Sequence, residues 1–143
     1  MALKCDPVMT EDEARQASPL RLAYVGDTVW ELLVRLRAMS EGKNIRHMHQ
    51  EAVAQVNAAA QAQALQRIEP MLTEAELDIT RRGRNAHARH PVPKHQEQAD
   101  YQAATALEAL MGYLYLIGRA ERLEQLFAAA EKTQEDASCP PQS

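Results

Sequence analysis

Two stretches of this chain carry apolar residues on two sides of a helix at once. In residues 20–36, LRLAYVGDTVWELLVRL, one face is Leu22, Val25, Val29, Leu32 and Leu36, recurring every three or four positions. Leu20, Ala23, Tyr24, Trp30 and Val34 form a second face nearly opposite. A helix apolar on two sides packs on two sides, as a central helix or a subunit interface. Residues 100–117, DYQAATALEALMGYLYLI, repeat the design. Ala103, Ala106, Leu107, Leu110, Leu114 and Ile117 make one face; Tyr101, Thr105, Glu108, Met111, Gly112 and Tyr115 make the other.

The remaining elements follow from helix periodicity and its punctuation. Thr10-Glu11-Asp12-Glu13 is a capping box and predicts a short first helix. Ser18, as a hydroxyl cap, and Pro19 predict the start of the second, which runs to about Met39. SEGKN, residues 40–44, reads as a turn. A third helix is expected from about Arg46 to Arg67, with Met48, Ala52, Val56, Ala59 and Leu65 near its buried side. Pro70 ends that region, and the box Thr73 to Glu76 opens a helix to about Arg84. Pro91 and Pro93 make residues 85–95 an extended loop. A long helix from about Gln96 to Ile117 stops at Gly118, and Leu123, Leu126 and Phe127 mark a last one. The fold class is therefore all-α: a single domain over residues 1–132 and a disordered tail over 133–143.

Composition narrows the class without naming an activity. The chain of 143 residues has 45% hydrophobic and 25% charged residues, a globular balance, and five glycines with few β-branched residues, which agrees with helix. A net charge of −4 argues against a protein that coats nucleic acid with its whole surface. Cys5 and Cys139 stand far apart without metal or redox spacing and read as free thiols in a reducing compartment. The first residues, MALKCDPVM, lack the apolar run of a signal peptide, and no stretch approaches a membrane span. A cytoplasmic protein is expected.

The chemistry lies in two acids. Asp27 falls within the second face of its helix, beside Gly26, whose cost inside a helix implies close backbone approach. Burying a carboxylate demands a cation, a hydrogen-bond network or a metal, and an arginine partner would satisfy it equally. Glu108 lies in a similar stripe, one turn before Gly112. Should the two faces meet, Asp27 and Glu108 converge, and two close carboxylates repel unless one is protonated or a cation joins them. Mg²⁺ takes oxygen ligands and binds through one or two carboxylates while keeping waters. Glu31, one turn past Asp27, reads as a surface acid. His87-x-x-His90 lacks the companions of a zinc site, and His47 and His49 read as surface residues.

These residues carry a resemblance. LRLAYVGDTVWE resembles the signature helix of the ribonuclease III family, through Arg21, Leu22, Tyr24, Val25, Gly26, Asp27 and Val29. TALEALMGYLYL is similar to the family's second acidic helix, through Glu108, Ala109 and Gly112. The likeness spans about residues 18–117 in the right order, with IRHMHQEAV a weaker match between the motifs. Family members bring four carboxylates to each site. Here the glutamate one turn before the aspartate is Ala23, and the second motif's aspartate is Thr105. Half the acidic set is missing, and no room is left for the double-stranded-RNA-binding domain that follows in full-length relatives. Both features resemble the compact Mini-III branch.

That resemblance implies an all-α, ribonuclease III-like homodimer that cleaves double-stranded RNA with Mg²⁺, the branch's precursor 23S ribosomal RNA being the inferred substrate. Asp27 and Glu108 would be the catalytic metal ligands, with waters in place of the missing acids. One ion per site is expected rather than two. Thr105 is expected to orient a water. Asp100 either helps through water or pairs with an arginine, and pairing is the expectation. Dimerisation would bury the second apolar face. Between Asp78 and Glu97 no acid occurs, while Arg81, Arg82, Arg84, Arg89 and Lys94 do, with His87, His90 and His95 among them. By itself this is a solvated loop with arginines that complement a helix dipole. Beside the carboxylates it becomes an RNA-phosphate clamp, suited to A-form duplex, which is read by shape, phosphates and 2′-hydroxyls. The alternative is a non-catalytic RNA-binding or ribosome-assembly module with a decayed site.

Overall fold

The computed structural model describes residues 3–86 and 97–138, with side chains through residue 131. Seven α-helices occur among them: α1 (Glu11–Gln16), α2 (Pro19–Ser40), α3 (Ile45–Gln55), α4 (Ala58–Ile68), α5 (Glu74–Asn85), α6 (Gln98–Leu116) and α7 (Ala120–Ser138). A 3₁₀ turn, Glu69–Met71, carries Pro70 after α4, and the described residues contain no strand. Both capping boxes form, Thr10 with Glu13 and Thr73 with Glu76. Ser18 is the N-cap residue of α2 but makes no side-chain cap; its carbonyl starts the helix instead, accepting from Arg21 and Leu22 N–H at 3.0 Å. Gly118, at φ +79°, takes the left-handed position after α6 that its sequence predicts.

The central element is α6. It is buried nearly all round, from Ala103 to Leu116, and contacts α1, α2, α4, α5 and α7. Helix α2 is not sandwiched on two sides. Its buried stripe is Leu22, Ala23, Gly26, Val29, Trp30, Leu33, Val34 and Ala38, lying midway between the two expected faces and drawing on both. Tyr24 is 84% exposed and Leu32 39%. The second face as a whole is therefore not left for a partner: Ala23, Trp30 and Val34 are spent inside the chain.

Small residues explain how α2 and α6 meet. A Cβ built on Gly26 would stand 1.6 Å from the Glu108 carbonyl oxygen, and one on Gly112 would stand 2.0 Å from that of Leu22. The two backbones touch, reciprocally, where a methyl group on either would collide. Gly83 gives α5 a similar approach to Ala106.

The helix expected over residues 46–67 is broken. Asn57 leaves helical geometry at φ −105°, ψ 160°, and its amide serves both ends of the break. Its Oδ1 accepts from Ala60 N–H at 2.9 Å, while its Nδ2 donates to the carbonyls of Val53 and Ala54. The Trp30 indole N–H donates to the Gln55 carbonyl at 3.2 Å. The break resets the helical phase, so the buried side of α4 is Gln61, Ala64, Leu65 and Ile68, and Ala59 is exposed. Helix α3 buries no residue fully, so Met48, Ala52 and Val56 are only half-buried.

Helix α7 closes the core with Leu123, Leu126 and Phe127, whose ring meets Trp30 edge-on at 5.2 Å. It is tied to α5 by an ion pair. The Arg122 guanidinium forks onto both oxygens of Glu76, 1% exposed, at 2.7 and 2.9 Å, and donates to the Met71 carbonyl. Helix α7 runs on to Ser138, and residues 139–143, with Cys139, lie outside the described residues.

Candidate active site

The Gly26 contact fixes where the acids go. Asp27 follows Gly26 in α2, and Glu108 supplies the α6 carbonyl that Gly26 touches. Their side chains leave the same point of closest approach, near enough for the Asp27 carboxyl to act directly on that of Glu108. The expected convergence is present, although Asp27 itself is exposed rather than buried; it stands on the flank of the α2 stripe, open to solvent. Glu108 is half-buried.

This asymmetry sets the electrostatics. Burial, then the hydrogen bond and charge of Asp27, push the Glu108 carboxyl up from 4.5 to about 8. Without a cation, Glu108 therefore keeps its proton at neutral pH. No arginine neutralises either acid among the described ion pairs. Among the described residues, then, neither acid has a private cationic partner.

The donor set fits a hard divalent cation. It consists of carboxylate oxygens, one of them solvent-facing, and no third His, Cys, Asp or Glu joins the pair among the described residues. Two carboxylates with waters completing the shell is a Mg²⁺ arrangement rather than a zinc one. The positions that carry acids elsewhere in the resemblance are both buried and non-acidic: Ala23 at 7% and Thr105 at 5% exposure. The Thr105 hydroxyl donates to the Tyr101 carbonyl of its own helix at 3.0 Å. Asp100 lies half-buried in the first turn of α6, where it complements the helix dipole. No arginine partner for it occurs among the described ion pairs, and Arg89 lies outside the described residues.

Sequence reasoning missed Gln61. This side chain of α4 is 4% exposed, approaches the Glu108 carboxyl and favours its charged form. Its signal was a polar residue at the head of the stripe Gln61, Ala64, Leu65, Ile68, legible only once the helix break at Asn57 is known.

Of the basic residues, Arg81 pairs with Asp78 on the surface of α5, and Arg84 pairs with Glu69. Arg82 donates to the carbonyls of Arg15 and Ala17, the latter at 3.0 Å, closing the C-terminus of α1. Arg89 and Lys94, with His87, His90 and His95, lie outside the described residues. Glu31 pairs with Arg35 at 2.6 Å and is a surface acid, as read. His47 and His49 are exposed.

Comparison with known proteins agrees with this geometry. Residues 20–119 match the family described as Ribonuclease III domain. The Mini-ribonuclease 3 of Symbiobacterium thermophilum is 48% identical over 113 residues, covering 78% of this chain and 86% of the relative. That of a Thermoanaerobacter species is 41% identical over 120 residues, covering 83% and 84%. A crystal structure of a Fusobacterium nucleatum protein superposes with a TM-score of 0.75 at 30% identity, covering 88% of this chain and 99% of the other. With an all-α domain built on two acidic helices that touch through paired glycines, the chain belongs to the ribonuclease III family, in its Mini-ribonuclease 3 branch, and is an endoribonuclease.

Proposed function

We propose that this endoribonuclease hydrolyses double-stranded RNA with a single Mg²⁺ held between Asp27 and Glu108. The observation that supports it is the meeting of these two carboxyl groups, with no cationic partner for either among the described ion pairs. When bound, Mg²⁺ acidifies a coordinated water and offsets charge on the phosphate under attack. The chain's own residues supply the rest. Asp27, exposed, faces the side from which substrate arrives, while half-buried Glu108 is anchored on the central helix. Glu108 would hold the cation as the carboxylate, its proton passing to solvent. Thr105, beside Glu108 on the same helix, would orient a water there.

Arg81 and Arg84 position the duplex. Their bridges to Asp78 and Glu69 are solvent-exposed and contribute little, so RNA phosphates compete for the guanidinium groups at small cost. Arg89 and Lys94 extend the same basic run. The working unit is a homodimer. Its support is the exposed apolar surface of α2 at Tyr24 and Leu32, and the adjoining groove of Met9, Ala17, Val25 and Leu116. The substrate we infer is precursor 23S ribosomal RNA in the cytoplasm. No helix of the described residues is long and apolar enough to cross a membrane.

The test is cleavage of a precursor 23S stem and of an unrelated duplex of equal length, with Mg²⁺ and then with EDTA. Cutting of duplex that stops in EDTA and in Asp27→Asn is the expected result, with the precursor stem cut faster. Cutting that persists in EDTA would overturn the metal mechanism, and equal rates on both duplexes would overturn the substrate.

A further inference from the structure

A glutamine has no obvious reason to stand where Gln61 stands. Its neighbours on the buried side of α4 are Ala64, Leu65 and Ile68, all fully or nearly buried against the core. Helix α4 packs directly on α6. Gln61 is itself 4% exposed, so its amide has been taken out of water. Yet Gln61 Nε2 has no hydrogen-bond partner of proper length and angle. An orphaned buried amide donor costs about 1–3 kcal/mol, which an unbranched apolar side chain of the same length would avoid. The residue is therefore not retained for a structural hydrogen bond.

What the amide does face is the Glu108 carboxyl. Glu108 is bounded by α2 on the Asp27 side and by α4 on the Gln61 side, so the two neighbours approach it from different elements. An amide N–H suits one task there that no apolar group performs: it donates to a carboxylate oxygen without adding charge.

We propose that Gln61 is a positioning residue, its Nε2 donating to the Glu108 carboxylate and holding it turned toward Asp27 so that both present oxygens to one cation. This rests on the proposed metal site and deepens it. In the cation-loaded protein Gln61 completes the hydrogen bond that it lacks without the ion. Groups that orient a ligand in this way typically change metal affinity by 10–100-fold when removed. Gln61 touches neither the cation nor RNA; it acts through Glu108.

The test uses the full chain and Mg²⁺ alone. Calorimetric titration of Mg²⁺ into wild type and Gln61→Met, with thermal unfolding of both in EDTA, separates orientation from folding. Gln61→Met is expected to unfold at or above the wild-type temperature, to bind Mg²⁺ about tenfold more weakly, and to keep the wild-type KM for duplex RNA at saturating Mg²⁺. Wild-type Mg²⁺ affinity in Gln61→Met overturns the inference while leaving the metal site standing. A wild-type protein that binds no Mg²⁺ overturns both together. If Gln61→Met does not fold, Gln61→Leu is measured in the same way; failure of both to fold makes Gln61 a structural residue and overturns the inference.

Discussion

Gly26 rests on the carbonyl oxygen of Glu108, so closely that a Cβ on the glycine would stand 1.6 Å from it. This contact joins the helix that carries Asp27 to the one that carries Glu108, and the site depends on it. Because the obstruction is backbone, no side-chain rotation relieves it. Gly26→Ala is expected to destabilise the protein by about 3 kcal/mol or more, at or beyond the usual cost of overpacking. Gly112→Ala, 2.0 Å from the Leu22 carbonyl, should behave alike. Gly83→Ala, whose nearest obstacle is Ala106 Cα at 2.8 Å, should cost less. Denaturant unfolding of the three variants checks that order.

Protonation of Glu108 gives the metal-free protein an inverted dependence on pH. Its carboxyl is raised from 4.5 to about 8 by burial and by Asp27, so the folded state holds a proton that the unfolded chain has released. Folded proteins then bind more protons than unfolded ones between those values, and this contribution to stability is full below pH 4.5 and lost as pH rises through 8. Thermal unfolding in EDTA should show stability falling across this window in wild type and a flatter profile in Glu108→Gln. Mg²⁺ binding should release close to one proton at pH 7 and strengthen with pH up to about 8. Titrations in buffers of different ionisation enthalpy count that proton.

At the acid end the sign reverses, through Glu76. Burial opposes its charge, but the Arg122 fork and the Thr73 backbone N–H outweigh burial and hold its carboxyl below 4.5. Its contribution is present above 4.5 and lost as pH falls through the lowered value. Removing one partner of such a buried pair costs about 3–5 kcal/mol. Arg122→Ala and Glu76→Gln should both show losses of that order in urea unfolding at pH 7, and both losses should shrink as pH falls through the lowered value, Arg122→Ala keeping the part due to the Met71 carbonyl.

The basic residues of α5 divide by what they touch. Arg82 serves two carbonyls at the end of α1, so Arg82→Ala should destabilise by about 1.5–3 kcal/mol. Arg81 and Arg84 make only surface pairs, and their alanine variants should stay within about 0.5 kcal/mol of wild type. In duplex RNA binding measured in EDTA, Arg81→Ala and Arg84→Ala should each weaken affinity and flatten the salt dependence by about one phosphate contact. An unaltered salt slope in both would remove them from the interface.

Much of this was legible in the sequence because the signals were local. Thr10 with Glu13 and Thr73 with Glu76 are capping boxes within a single turn, and Gly118 stops α6 by its own backbone freedom. The glycines beside Asp27 and Glu108 announced a backbone contact, and the contact brings the acids together. What escaped depended on longer-range or competing interactions. Asn57 breaks a helix of high propensity because one amide caps both sides of the break, and the phase shift hid Gln61. The two apolar faces of α2 merged into one stripe because Gly26 and Leu33 lie between them. The burial of α6 on every side made it, rather than α2, the centre of the molecule. Arg82 reads as a phosphate ligand in sequence, and only the fold shows that it closes α1.

The most direct test of the account is anomalous diffraction from crystals soaked in Mn²⁺ as a stand-in for Mg²⁺. One anomalous peak per chain, within coordination distance of an oxygen of Asp27 and an oxygen of Glu108, and absent from Asp27→Asn crystals, is the predicted result. A peak bound elsewhere, or a wild-type site that stays empty while the same crystals' protein cleaves RNA in Mn²⁺, would contradict it.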